Sequence, residues 1–205
     1  MRAIVVAAIA VTVSGGIAAA QDRPSIAPTK DVTVEYSYKA TPRNGAPAQQ
    51  GQSKIATTAG GKQIRVEGFG PAGYMIIDRA GGHTMMVMDA QHMYMEMPFD
   101  PARAGPFAMR ENMKFARKGT DTVAGAKCTV WDVQGDQGNG TVCITDDGVL
   151  LRGESSGPDG QVVMTATAVS YAPLAATVFQ APAGYQKMQA PGMPPGAGRL
   201  PQQKP

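Results

Sequence analysis

The chain has 205 residues, with 19 Lys or Arg against 16 Asp or Glu. This near balance gives no electrostatic reason to expect binding to nucleic acid or to an anionic membrane surface. With only two histidines and two cysteines, a catalytic triad or a zinc site would have to use those few residues. Neither histidine lies beside a Ser or Cys in a predicted pocket. We therefore predict no enzyme activity, no resident metal and no cofactor.

The first residues have the pattern of an export signal. Arg2 precedes an apolar run over residues 3–13, which is followed by glycines and small residues. The run is shorter than the roughly 20 residues that a membrane-spanning helix needs, so a cleaved signal peptide is favoured. Ala18 and Ala20 occupy the positions where signal peptidase requires small side chains. We predict cleavage between Ala20 and Gln21, which gives a soluble, periplasmic protein.

Composition divides the chain into four parts. The C-terminal stretch contains five prolines and little that could pack in a core, which is typical of disorder. The central window is long enough for one domain with its own core. The predicted parts are a signal peptide (1–20), an extended lead-in (21–30), a β-rich domain (31–185) and a disordered tail (186–205).

Alternation with a period of two dominates the predicted domain. In residues 31–39, Val32, Val34, Tyr36 and Tyr38 alternate with polar residues, as in a strand with one buried face. Tight turns separate many such segments, which indicates an antiparallel meander in a mainly β fold. The other predicted strands are 52–58, 63–67, 74–79, 84–89, 92–97, 115–123, 127–134, 140–145, 149–155 and 161–171, with a loop at 40–51.

One helix is predicted. Asp100 followed by Pro101 has the pattern of an N-cap and first helical residue. The helix is expected to be short and lid-like, over residues 100–112.

The two cysteines, Cys128 and Cys143, are predicted to form a disulfide, because an even, minimal count in an exported protein favours a bridge. If they face each other directly on antiparallel strands, Trp131 lies opposite Gly140 and the turn centres on Gly135-Asp136. The two sulfurs then share one face of the hairpin. The opposite face carries the residues Trp131, Val133, Val142 and Ile144.

Six of the 13 methionines lie between Met85 and Met97. A two-residue turn at Ala90-Gln91 would pair Met88 with Met93 and Met86 with Met95. Five methionines then share one face of a hairpin, and we name them the methionine ladder: Met86, Met88, Met93, Met95 and Met97.

Three interpretations of the ladder remain open. Methionine fills irregular core space, and it also forms adaptable apolar surfaces that accept a lipid, an acyl chain or a lipidated peptide. Thioethers also suit Cu(I). His83 and His92 do not join such a metal site in this register, because both lie on the other face, about 20 Å apart.

Four short runs stand out: PTKDVTV at 28–34, CTVW at 128–131, CITDDGVLLR at 143–152 and FQAPAGY at 179–185. Together they resemble an uncharacterised proteobacterial family of exported proteins, a domain of unknown function that is similar to the LolA-like lipoprotein carriers. The resemblance implies a curved, incompletely closed antiparallel sheet whose concave apolar side, capped by helices, receives acyl chains. The long helix that those carriers place before their first strand is absent from this sequence.

These observations predict a periplasmic binding module for a lipid, an acyl chain or a lipoprotein, with the methionine ladder lining the site. The alternatives are a protein that binds Cu(I) or Ag(I) or buffers oxidants, and a purely structural envelope protein.

Overall fold

The computed structural model describes residues 23–68, 73–101, 107–135, 138–158 and 160–188. These residues form one 12-stranded sheet, which confirms all eleven predicted strands and adds one. The predicted signal peptide and its cleavage site lie outside the described residues. The strands are β1 Val32–Pro42, β2 Gln49–Thr57, β3 Gln63–Glu67, β4 Tyr74–Asp78, β5 His83–Met88, β6 Met93–Pro98, β7 Lys114–Val123, β8 Ala126–Gly135, β9 Gly138–Ile144, β10 Leu150–Gly157, β11 Gly160–Ser170 and β12 Gln186–Met188.

The sheet consists of two meanders that meet at the first and the penultimate strand. Its order is β12-β6-β5-β4-β3-β2-β1-β11-β10-β9-β8-β7. Strands β1 to β6 form one meander, β7 to β11 form the other, and β1 pairs antiparallel with β11. The sheet is curved and does not close, which confirms the predicted open, mainly β architecture.

Two boundary predictions need correction. Residues 186–188 were expected in the disordered tail, but they form β12, which pairs in parallel with β6 at the sheet edge. Of the predicted helix at 100–112, residues 107–112 form turns and irregular backbone, and 102–106 lie outside the described residues. No helix in the described part of the chain is long and apolar enough to cross a membrane.

The largest core cluster lies where the two meanders join. We call it the main core. It contains the buried phenol of Tyr36, whose hydroxyl donates a hydrogen bond of 2.6 Å to the Leu150 carbonyl. Burial raises the pKa of Tyr36, because the ionised form would lose its hydration. The buried members of the main core are Val32, Val34, Tyr36, Val123, Cys128, Cys143, Val149, Leu151, Met164 and Ala166.

The predicted disulfide is present, but the predicted register of its hairpin is wrong by two residues. Val130, not Cys128, lies opposite Cys143, so Trp131 lies opposite Val142. The bridge therefore joins a diagonal pair, with its Cα atoms 5.4 Å apart. A shift of two preserves the faces, so Trp131, Val142 and Ile144 still form a separate buried cluster. The turn lies between Gly135 and Gly138 rather than at Gly135-Asp136.

Candidate binding site

The β5–β6 hairpin has the predicted register. Met86 pairs with Met95, and Met88 pairs with Met93. The reversal is made by a short 3-10 helix, Asp89–Gln91, which is followed by His92 in the left-handed region at φ 50°. The backbone N–H of His92 donates to the Asp89 carbonyl at 3.2 Å. The five ladder methionines therefore share one face of the sheet.

The structure adds two methionines that the sequence did not assign to this face. Met75 of β4 lies directly opposite Met86, and Met188 of β12 lies beside Met95. Four methionines thus form a line across four adjacent strands. We call Met75, Met86, Met95 and Met188 the methionine row.

This row continues into the main core. Met75 pairs with Val66, Val66 with Ile55, and Ile55 with Val34. Burial decreases along this line: Val34 is 3% exposed, the residues between are half-buried, and Met86 is 39% exposed. Because directly paired residues point to the same side, one apolar surface runs from a sealed core to solvent. We call it the methionine face.

The opposite face of β2 to β6 is covered by a C-terminal segment, residues 171–185. Met85 and Val87 alternate with the ladder residues on β5, and both are buried. They pack in a second cluster with Ala56, Ile76 and Phe179, while Leu174 and Val178 of the same segment pack against its edge. The ladder methionines belong to none of the three buried clusters of the described residues. Met86 is 39% exposed and the other four ladder methionines are half-buried.

Polar contacts anchor the C-terminal segment at its start. The Asp31 carboxylate accepts hydrogen bonds from the backbone N–H groups of Leu174 at 3.0 Å and Ala59 at 2.9 Å. The first of these bonds is the main reason that the pKa of Asp31 lies below its ordinary value, and the second adds to it. One carboxylate thus joins the segment to the loop after β2.

Further anchors follow along the segment. The Arg65 guanidinium donates to the Val178 carbonyl at 3.1 Å and lies 3.5 Å from the centre of the Tyr74 ring. The Tyr185 hydroxyl donates to Asp89 at 3.0 Å. These contacts fix the segment over the face that carries Met85.

Two residues between β6 and β7, Phe107 and Met109, pack on the other side of the sheet. Phe107 packs against the main core, and its ring lies so close to Gly153 that a Cβ atom there would approach Phe107 to 2.5 Å. Phe107 therefore lies on the side of the main core, which is also the side of the methionine face.

Both histidines lie away from the ladder. His83 shares the face of Met85, and the His92 ring packs edge-on against Tyr185, 5.2 Å between centroids. The described residues contain no group of three or more His, Cys, Asp or Glu side chains that could hold a metal ion.

Comparisons with known proteins agree with this architecture. A family model for a domain of unknown function, DUF4412, matches residues 46–152, from just before β2 to the start of β10. No curated protein matches the chain. An uncharacterized conserved protein from Thermus thermophilus aligns with a TM-score of 0.54 and 8% identity, over 79% of this chain and 91% of that chain.

A structure of the MucA/MucB complex from Pseudomonas aeruginosa aligns with a TM-score of 0.51 and 18% identity, over 82% of this chain. The alignment spans 63% of the matched chain in that complex, which is less than two thirds of its length. At these identities the likeness is one of fold. The open, curved sheet is LolA-like, as the sequence resemblance implied.

Proposed function

This chain belongs to the DUF4412 family, and we propose that it is a periplasmic, non-catalytic binding module that holds the apolar chain of a lipid or a lipoprotein on its methionine face. The observation that carries the proposal is the burial gradient from Val34, 3% exposed, to Met86, 39% exposed, along one continuous apolar row. The disulfide fits export to an oxidising compartment.

The composition of this face suits a flexible apolar ligand. Methionine is unbranched, with three rotatable bonds and a polarisable sulfur, so a methionine surface can repack around chains of different shape. Each buried CH2 group of a bound acyl chain contributes about 0.8 kcal/mol. A chain lying along several ladder residues would therefore gain several kcal/mol without any specific polar contact.

The position of Phe107 supports the same proposal. A binding site for an apolar chain needs cover on its open side, since a fully exposed ligand would keep most of its contact with water. Phe107 packs against the main core, which continues into the methionine face. In the proposed function it forms part of this cover, as helices do in the carriers that the sequence resembles.

The proposal is tested with the purified mature protein and a fluorescent long-chain fatty acid. We expect wild type to bind the probe and Met86→Glu plus Met95→Glu to lose binding, because two carboxylates would have to be buried against the acyl chain. Met86→Leu plus Met95→Leu is the matched control, because it keeps the face apolar.

The control variant should bind like wild type. Circular dichroism and urea unfolding verify that the Glu variant is folded, as expected for side chains at partly exposed positions. The proposal fails if wild type takes up no apolar probe, or if the Glu variant binds as tightly as wild type. Native mass spectrometry of protein taken from the periplasm would identify a lipid that stays bound.

A further inference from the structure

The methionine row has a chemistry that goes beyond apolar binding. We infer that the thioethers of Met75, Met86 and Met95, with Met188 beside them, form a binding site for a soft monovalent cation, Cu(I) or Ag(I). This inference does not rest on the proposed function, because it concerns the sulfur atoms and not the hydrophobicity of the face.

The pairing of the strands brings the thioethers together. Met75 lies opposite Met86, and Met86 lies opposite Met95, with no bulge between these pairs. Side chains in directly opposite positions have Cβ atoms about 4.5–5.5 Å apart. Methionine has three rotatable bonds, so the two outer sulfurs can turn towards the central one.

The central residue is also the most accessible one. Met86 is 39% exposed, whereas Met75, Met95 and Met188 are half-buried. An ion can therefore reach the row from solvent at Met86. The half-buried neighbours then replace water around it.

The surroundings select a soft ion. Thioether sulfur is a soft ligand that suits Cu(I), whereas Mg(II), Ca(II) and Mn(II) need carboxylate or carbonyl oxygen. The acidic residues of these strands point to the other side: Glu67 pairs with Tyr74, Asp78 with His83, and Glu96 with Met85. Beside the row, the methionine face presents uncharged side chains, namely Val66, Ile77 and Thr84.

The experiment uses the mature protein with its disulfide intact and, without oxygen or thiol reductants, titrates Cu(I) against a chromophoric chelator of Cu(I), with Ag(I) as a second probe. We expect wild type to withdraw one ion per chain from the chelator. Met86→Leu should abolish this withdrawal, because the substitution removes the central sulfur and keeps the volume. Met85→Leu is the matched control: it alters the next residue on the same strand, but on the covered face, and it should bind like wild type.

A second measurement locates the ion. In protein with 13C-labelled methionine methyl groups, Ag(I) should shift the signals of the four row residues and leave those of Met85 and Met164 unchanged. Shifts confined to other methionines would overturn the assignment, as would equal binding by the two Leu variants or no binding by wild type. Fatty-acid binding by the Met86→Leu variant is measured in parallel, so failure of the metal site and failure of the apolar site are told apart.

Discussion

The two faces of strands β4 to β6 carry similar side chains but are packed very differently. On β5, Val87 is 1% exposed and its neighbour Met86 is 39% exposed. One face is covered by the C-terminal segment. On the other face, the exposed fraction of the side chains rises from the main core towards Met86. Hydrophobicity alone therefore does not tell which face of a strand is the core. What decides is where a distant part of the chain lies.

The largest expected effect comes from placing a charge on each face in turn. Val87→Asp buries an unpaired carboxylate and loses apolar contacts, and we expect it to lower the free energy of unfolding by more than about 4 kcal/mol. Met86→Asp should lower it by about 1 kcal/mol or less, because that side chain already meets water. Urea unfolding with the disulfide oxidised measures both. Similar losses at the two positions would show that the two faces are equally covered.

The next comparison concerns the two coverings, each represented by one Phe. Phe179 of the C-terminal segment is 5% exposed in the second cluster, so Phe179→Ala should cost about 3–5 kcal/mol. Phe107, which packs on the other side of the sheet, is only half-buried, and Phe107→Ala should cost about 1–2 kcal/mol because less apolar area is lost. Thermal or urea unfolding checks the order. A larger loss at Phe107 would mean that the packing of Phe107 on the main core contributes more to stability than that of the C-terminal segment.

The smallest effect depends on pH. The pKa of Asp31 in the folded chain lies below its ordinary value of 3.8, chiefly because the carboxylate accepts the Leu174 N–H. Its contribution to stability is therefore fully present above the ordinary pKa and is lost as the pH falls through the lowered folded value. We expect the start of the C-terminal segment to loosen below about pH 4.

Hydrogen-exchange mass spectrometry of peptides from residues 171–185 measures this loosening. Asp31→Asn should reduce protection relative to wild type at pH 7. At pH 3 the difference should shrink, because this pH lies below the ordinary pKa of 3.8, where protonation of the Asp31 carboxyl in the opened state begins to offset its contribution. A difference that stays constant with pH would assign the anchoring to packing rather than to the carboxylate.

Much of the architecture could be predicted from the sequence, because strands and tight turns are indicated by residues that are close together in the chain. Alternation of apolar and polar residues located eleven strands, and the spacing around Ala90-Gln91 fixed the register of the ladder. The hairpin that carries the disulfide shows the limit of such reasoning. A bridge was assumed to join directly opposite residues, but Cys128 and Cys143 are a diagonal pair, so only the assignment of faces was correct.

The parts that could not be predicted depend on contacts between distant residues. Gln186–Met188 has only three residues and no alternation. It is a strand only because it pairs in parallel with β6 at the edge of the sheet. Met75 joins the row only through the pairing of β4 with β5. The covering of the Met85 face depends on the C-terminal segment, whose sequence YAPLAATVFQAPAGY has no strand-like alternation that indicates where it packs.

The pairing of β1 with β11 has a consequence for how the molecule forms. It joins Val32–Pro42 to Gly160–Ser170 and is the link between the two meanders in the described sheet. Contacts between residues so far apart in sequence require large loops to close. The chain loses conformational entropy before the contacts can stabilise it, which slows folding. A nascent chain cannot complete its main core until the penultimate strand has been synthesised. The topology therefore delays formation of the main core until both meanders are available to pair.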